Sequence, residues 1–320
     1  MKSKVHTSLS VAAACGLLFS STSHGQVLFQ SNLDSAAGWN VVQEPSPSSL
    51  ATFGYDYSIL GIPPSPNGGG TTLGLRLAAN ANTSVQAITA ATVDTFSGQF
   101  RVTFDFWGNT IGPLPAGGTG STEHLGGGVG FSGVLPRKGA SALTSIEGGV
   151  GSASSIRDWR LDIDAAAQPL GNGYYNPLIT SLDVNGTTSA DPNFFFTGPF
   201  PGQPAPPVQG TSGTALNGTI AFGWHTMTIE ADSLAGTAKF TIDSTYLGTL
   251  DQSLTIVDVA GSGSLTLLDA FTSVSSADLT TDLVFALFDN YKVEFIPEPS
   301  TAALIAASPI LWLRRRRKKS

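Results

Sequence analysis

A single cysteine, Cys15, and two methionines are the only sulfur-bearing residues among 320. One thiol excludes an intrachain disulfide, so stability must come from packing or from bound ions. Charge is sparse, at 12% of residues. Only two of the four histidines, His124 and His225, lie beyond residue 25, and no zinc spacing, phosphate loop or nucleophile elbow accompanies them. Gly126-Gly127-Gly128-Val129-Gly130 lacks the Lys and the following helix that a phosphate cradle needs. Glycine there fits close strand packing instead. Glu123 and His124 are adjacent in an extended segment and point to opposite faces, which excludes a direct relay with Ser121. His225 sits in a strand motif, where packing or a hydrogen bond explains it better than catalysis. No internal repeat of fixed period is present.

The scarce basic residues gather at the two ends. Of the 16, two lie in the first 25 residues and six in the last 24, whereas 22 of the 23 acidic residues lie between, so residues 26–296 carry about −14. That field disfavours nucleic acid and anionic lipid and is compatible with divalent cations or neutral glycans. At the N-terminus, Lys2 and Lys4, an apolar run over 9–19 and Ser23-His24-Gly25 read as a signal peptide over 1–25, with the mature chain starting at Gln26. A lipidated Cys15 fits less well, because the usual Leu three places earlier is replaced by Ala12. At the C-terminus, Pro297-Glu298-Pro299 precedes an apolar segment over 300–313 and six basic residues over 314–319. Fourteen helical residues span about 21 Å against a hydrocarbon core of roughly 30 Å, and Pro309 interrupts the ladder. Such a short membrane helix suits a transient hold, with the basic cluster kept on the cytoplasmic side.

This tripartite tail, residues 297–320, resembles the PEP-CTERM sorting signal of Gram-negative bacteria. The resemblance implies processing by an exosortase-type enzyme after brief contact with the inner membrane, followed by display at the cell surface or in exopolysaccharide. Pro297, Glu298, Pro299 and the cluster Arg314, Arg315, Arg316 and Arg317 would carry the signal.

Between the two signals, 26–296 is long enough for one β domain with a sizeable core. Period-two alternation dominates. Phe100, Val102, Phe104 and Phe106 form one face of a strand and Arg101, Thr103 and Asp105 the other, as a half-buried antiparallel strand requires. Leu73, Leu75 and Leu77 repeat the pattern, as do Met227 to Ala231, Ala238 to Ile242, and Leu287 with Tyr291, Val293 and Phe295. Asn185-Gly186 marks a type I′ hairpin, while 61–70, 112–120 and 197–213 are Pro- and Gly-rich loops. The spacing predicts an all-β antiparallel sandwich.

Trp224-His225-Thr226-Met227-Thr228-Ile229, the hairpin 238–249 and the closing strand Phe285 to Val293 resemble the concanavalin A-like and laminin-G-like jelly rolls. The resemblance implies that the closing strand pairs with an opening strand near Leu28 to Asp34. It also leaves a structural calcium open, with Asp34 and Asp289 as carboxylates; the plainer alternative has Asp289 capping a bulge and Asp34 shaping a turn. The aromatic clusters Tyr55-Asp56-Tyr57 and Tyr174-Tyr175 are candidates for stacking on sugar, or else cover the core. These features point to an exported, non-catalytic structural or glycan-binding protein. The alternative is a glycan-cleaving enzyme of the same fold, using Asp162 and Asp164 roughly 6.5 to 7 Å apart on one strand face. Arg157 and Arg160 offer those carboxylates ion pairs instead, and the third acid of the glycosidase pattern is missing.

Overall fold

The computed structural model describes residues 25–44, 50–79, 86–110, 123–132, 139–146, 159–164, 166–167, 200–209, 213–215, 220–251, 259–269 and 283–297. In chain order the strands are β1 (Val27–Ser31), β2 (Trp39–Glu44), β3 (Leu50–Asp56), β4 (Leu73–Ala78), β5 (Gln86–Phe96), β6 (Gln99–Asn109), β7 (Glu123–Phe131) and β8 (Ala140–Ser145). They continue as β9 (Trp159–Ile163), β10 (Ala166–Ala167), β11 (Trp224–Asp232), β12 (Thr237–Ile242), β13 (Thr245–Asp251), β14 (Gly261–Asp269) and β15 (Phe285–Phe295). They form two antiparallel sheets. The first runs β13-β12-β11-β6-β15-β4-β3, with β1 also beside β15, and the second runs β10-β9-β8-β7-β14-β5-β2. The apolar faces meet in one core that draws on both sheets. Among the described residues the helical turns are short, Tyr57–Leu60 and Pro207–Gln209, and none is long and apolar enough to cross a membrane. The membrane segment expected over 300–313 and the Asn185-Gly186 hairpin lie outside the described residues.

The strand pattern read from the sequence holds in β6, β11 and β12 of the first sheet, while in β4 Leu75 and Leu77 are buried as expected but Leu73 is exposed and Arg76 buried. Phe100, Val102, Phe104 and Phe106 are buried, and β6 pairs with β11 in the register Phe104↔Met227 and Val102↔Ile229. Arg101 and Thr103 stay half-buried on the outer face, as a one-sided strand requires. The exception is Asp105, expected on the open face and fully buried. The closing strand pairs with the opening one, Phe29↔Val293 and Ser31↔Tyr291. Its alternation breaks, however, between Asp289 and Lys292, where a bulge holds Asn290 at φ +53°. An extra residue shifts the parity of a strand. Leu287 and Asp289 therefore share the face of Trp107 and Asp105, buried there as well, whereas Tyr291 and Val293 turn to the opposite face, toward the second sheet.

The second sheet alternates poorly in sequence because both of its faces are buried. Leu125 and Leu265 face the sandwich core, while Ser141, Asp162, Ser264 and Thr266 on the opposite face are also fully buried. Its glycines are steric requirements: a Cβ on Gly126 would lie 2.0 Å from Ala142 O, and one on Gly127 2.6 Å from Phe104 Cζ.

Tyr291 locks the two sheets together. Its ring meets Trp39 edge-on at 4.9 Å and stacks on Phe104 at 6.0 Å. Its hydroxyl reaches the β14 backbone, where a Cβ on Gly263 would stand 1.8 Å from the oxygen. That hydroxyl is fully buried without a hydrogen-bond partner, and burial pushes its pKa up. A buried hydroxyl left unpaired costs about 1–3 kcal/mol. We therefore expect Tyr291→Phe to raise the melting temperature, Gly263→Ala to cost about 1–3 kcal/mol by overpacking, and the double variant to recover part of that loss. Thermal unfolding of the four proteins checks this, and a Tyr291→Phe protein less stable than the parent contradicts it.

Candidate functional site

The segment joining β3 to β4 folds back over the outer face of the first sheet. Asp56 starts it as a cap: its Oδ1 accepts from the Ser58 N–H at 3.0 Å, the Ser58 hydroxyl at 2.7 Å and the Thr72 hydroxyl at 2.9 Å. The Ser58 and Thr72 hydrogen bonds hold its carboxyl below the usual range. Further along, the segment delivers Tyr57, Ser65 and Asn67 to two carboxylates that face each other across β6 and β15, Asp105 and Asp289.

Every oxygen of the two carboxylates accepts at least one hydrogen bond. Asp289 Oδ2 accepts from Ser65 Oγ at 2.7 Å and Tyr57 OH at 3.0 Å, and its Oδ1 accepts the Asn290 N–H at 2.7 Å. Asp105 Oδ1 accepts from Thr226 Oγ1 at 2.7 Å and Asn67 Nδ2 at 2.8 Å. Its Oδ2 accepts from Asn290 Nδ2 at 2.8 Å and the Asn67 N–H at 3.1 Å. The β15 bulge serves this network, since the left-handed Asn290 aims its amide at Asp105 and Ser65 at once. Burial, and with it the nearby Asp105 charge, raises Asp289 above the ordinary carboxylate range against the hydrogen bonds it accepts. Burial and the Asp289 charge push Tyr57 up to about 12.

With the segment tied down, Gly61 and Pro63 become one wall of a groove of about 490 Å³ at the end of the first sheet. Trp107 and Trp224 form its aromatic side, the run from Pro204 to Pro207 the facing side, and Gln203, Phe222, Gly223 and His225 complete it. Trp224 Nε1 donates to Pro63 O at 2.8 Å, and its ring meets Tyr57 at 5.3 Å and Trp107 at 5.8 Å. The polar network and the groove therefore share one strap, residues 57–72.

Several expected site residues take other roles. Tyr57 is fully buried and cannot offer its face to a sugar; Tyr55 is half-buried against Phe285 at 6.3 Å, with the Arg76 guanidinium 5.4 Å above its ring. Asp34 is exposed in a bend near Gly54, whereas Asp289 caps the bulge, so the two are not brought together as calcium ligands. The donors around Asp289 and Asp105 point their N–H and O–H groups at the carboxylates, the reverse of a calcium cage, and among the described residues no three acidic, His or Cys side chains converge. Asp162 and Asp164 part company as well. Asp162 is fully buried with Arg160 Nη2 3.1 Å away, while Asp164 sits at φ +46° in an exposed turn and accepts the Gly139 N–H at 2.9 Å. The positive φ breaks the strand alternation that would have put both on one face. Pro297 follows β15, and Glu298, Pro299, Arg314, Arg315, Arg316, Arg317, Tyr174 and Tyr175 lie outside the described residues.

The sequence reading missed Asp105, Asn67 and the groove. The available signal was a lone carboxylate flanked by Phe104 and Phe106, mirrored by Asp289 after Phe288. Because the folded protein holds the Asp289 proton more tightly than the unfolded chain does, the native state binds more protons above about pH 4, and stability falls as pH rises through that window. Asp289→Asn removes this component. Its melting temperature relative to the parent should climb between pH 4 and pH 8, and a difference that does not vary with pH contradicts the assignment.

No family model matches the chain, and no curated protein matches it in sequence. Solved structures to which the chain is similar include a Bacillus subtilis protein with a galectin-like fold, at 11% identity and a TM-score of 0.43, covering 85% of this chain and 96% of that one. A glycosyl hydrolase family 16 protein from Mycobacterium smegmatis matches at 14% identity and a TM-score of 0.40, over 84% of this chain and 100% of its own. An endo-β-1,4-glucuronan lyase from Trichoderma reesei matches at 12% and 0.41, over 85% and 96%. Likenesses of this size assign neither family nor activity, and the architecture rests on strand order and register alone.

Proposed function

We propose that the chain is an exported, non-catalytic glycan-binding protein that works at the cell surface or in exopolysaccharide, with the groove beside Trp107 and Trp224 as its binding site. The observation that carries the reading is the groove's mixed lining. Indole and proline surfaces form apolar walls, and Gln203 and His225 are placed between them. A pyranose has the same division, with an apolar C–H face and a polar equatorial edge, and aromatic rings with a few convergent polar groups suit it. Delivery follows from the terminal segments: export by residues 1–25, a brief inner-membrane hold by 297–320, and release by an exosortase-type enzyme. The acidic middle of the chain, at about −14, favours neutral over anionic polymers.

A glycan array probed with the purified protein, followed by titration of the best ligand, tests the reading. Trp224→Ala should weaken binding about 10-fold, which is about 1.4 kcal/mol, while Tyr246→Ala, an exposed aromatic on β13 away from the groove, should leave it unchanged. Equal loss in both variants, or no glycan bound at all, contradicts the proposal. New reducing ends released from a bound polysaccharide would establish the glycan-cleaving alternative instead.

A further inference from the structure

We infer that the groove selects an uncharged, hydroxyl-rich ring, because two side-chain atoms on it that have no hydrogen-bond partner among the described residues, His225 Nε2 and Gln203 Oε1, are acceptors. This rests on the groove being the binding site and adds the chemical class of what it takes.

His225 points inward from β11 and is only 8% exposed. Phe200 meets its ring edge-on at 4.6 Å and Phe106 lies at 5.7 Å. Its Nδ1 lies 2.9 Å from Asp243 Oδ2. Asp243 is itself fixed at φ +51° in the turn between β12 and β13. Its Oδ1 accepts the Thr226 N–H at 2.9 Å, and its own N–H donates to Thr226 O at 2.8 Å. A carboxylate only accepts, so Nδ1 carries the proton that faces Asp243, and in that tautomer Nε2 is the bare lone pair. Among the described residues no side chain bonds Nε2. It faces Gly223, where a Cβ would stand 3.2 Å from Nε2 and 3.2 Å from Gln203 Cγ. The missing side chain leaves room for a ligand atom.

The orientation of Gln203 follows from the same accounting. Its Nε2 donates one N–H to Pro201 O at 3.1 Å, and a carbonyl partner admits only the amide nitrogen, so Oε1 is the acceptor and one amide N–H stays beside it as a donor to a ligand hydroxyl oxygen. The indole donors beside it are already spent, Trp224 Nε1 on Pro63 O and Trp107 Nε1 on Asn109 Oδ1 at 3.3 Å. Two acceptors backed by the Asp243 charge welcome O–H donors and repel carboxylate or sulfate. A neutral sugar edge with neighbouring hydroxyls satisfies both; a uronate or sulfate oxygen would face these lone pairs with no proton between them.

The test pairs two measurements on the purified protein at neutral pH. Long-range 15N–1H correlation of the His225 imidazole should show Nδ1 protonated and Nε2 bare, with the pattern altered in Asp243→Asn. An Nε2–H ring overturns the inference whether or not any glycan binds. Titration with cellotetraose, maltotetraose and mannotetraose, each against tetragalacturonate, should favour neutral sugars. Gly223→Ala, which adds one methyl in front of Nε2, should weaken that binding at least 10-fold with the melting temperature unchanged. Tighter binding of tetragalacturonate overturns the inference and leaves glycan binding standing. Failure of all four sugars to bind, with a bare Nε2 confirmed, overturns the assignment of the groove to sugars while the acceptor geometry survives.

Discussion

Asp105 and Asp289 face each other across neighbouring strands, two carboxylates removed from water. Bringing them together is unfavourable unless each oxygen is hydrogen-bonded, and nearly every donor that solves the problem comes from the 57–72 strap or from the β15 bulge. The network is therefore a constraint as much as a contribution to stability. It dictates where the strap lies, and the position of the strap creates the groove.

Three levels of structure follow from that constraint. The bulge in β15 spoils a regular ladder to turn Asn290 toward Asp105, and it also turns Tyr291 inward to lock the sheets. The strap carries Pro63 to the indole of Trp224, which spends that donor on a backbone carbonyl. What remains polar in the groove is then set by subtraction: with both indole donors consumed by the scaffold, His225 and Gln203 supply the side-chain polar atoms. Specificity in such a site comes from what the scaffold has already used.

Much of the first sheet was legible in the sequence because one of its faces is wetter than the other. The β6 alternation, the β11 motif and the pairing of opening and closing strands all followed from period-two patterns and from the jelly-roll resemblance. The second sheet was harder to see, since Ser141, Thr266 and Asp162 are as buried as the leucines beside them. The site was least legible. Asp105 sits on the face that alternation assigns to solvent, and nothing local says that Asn67, 38 residues earlier, will cover it. Tyr57, a candidate for sugar stacking from its loop setting, is buried because the strap folds inward, while Tyr55 lies half-buried on β3. Only the geometry showed Trp224 and Trp107 in the groove, although Trp224 had stood in the strand motif.

The most direct measurement is amide hydrogen exchange at Ser65 and Asn67, whose N–H groups donate to Tyr57 OH and Asp105 Oδ2 inside an otherwise irregular segment. If the carboxylate pair organises the strap, both amides exchange as slowly as those of the neighbouring strands, and in Asp105→Ala they exchange fast while the β6 and β11 amides stay protected. Rapid exchange of Ser65 and Asn67 in the parent protein would contradict the account.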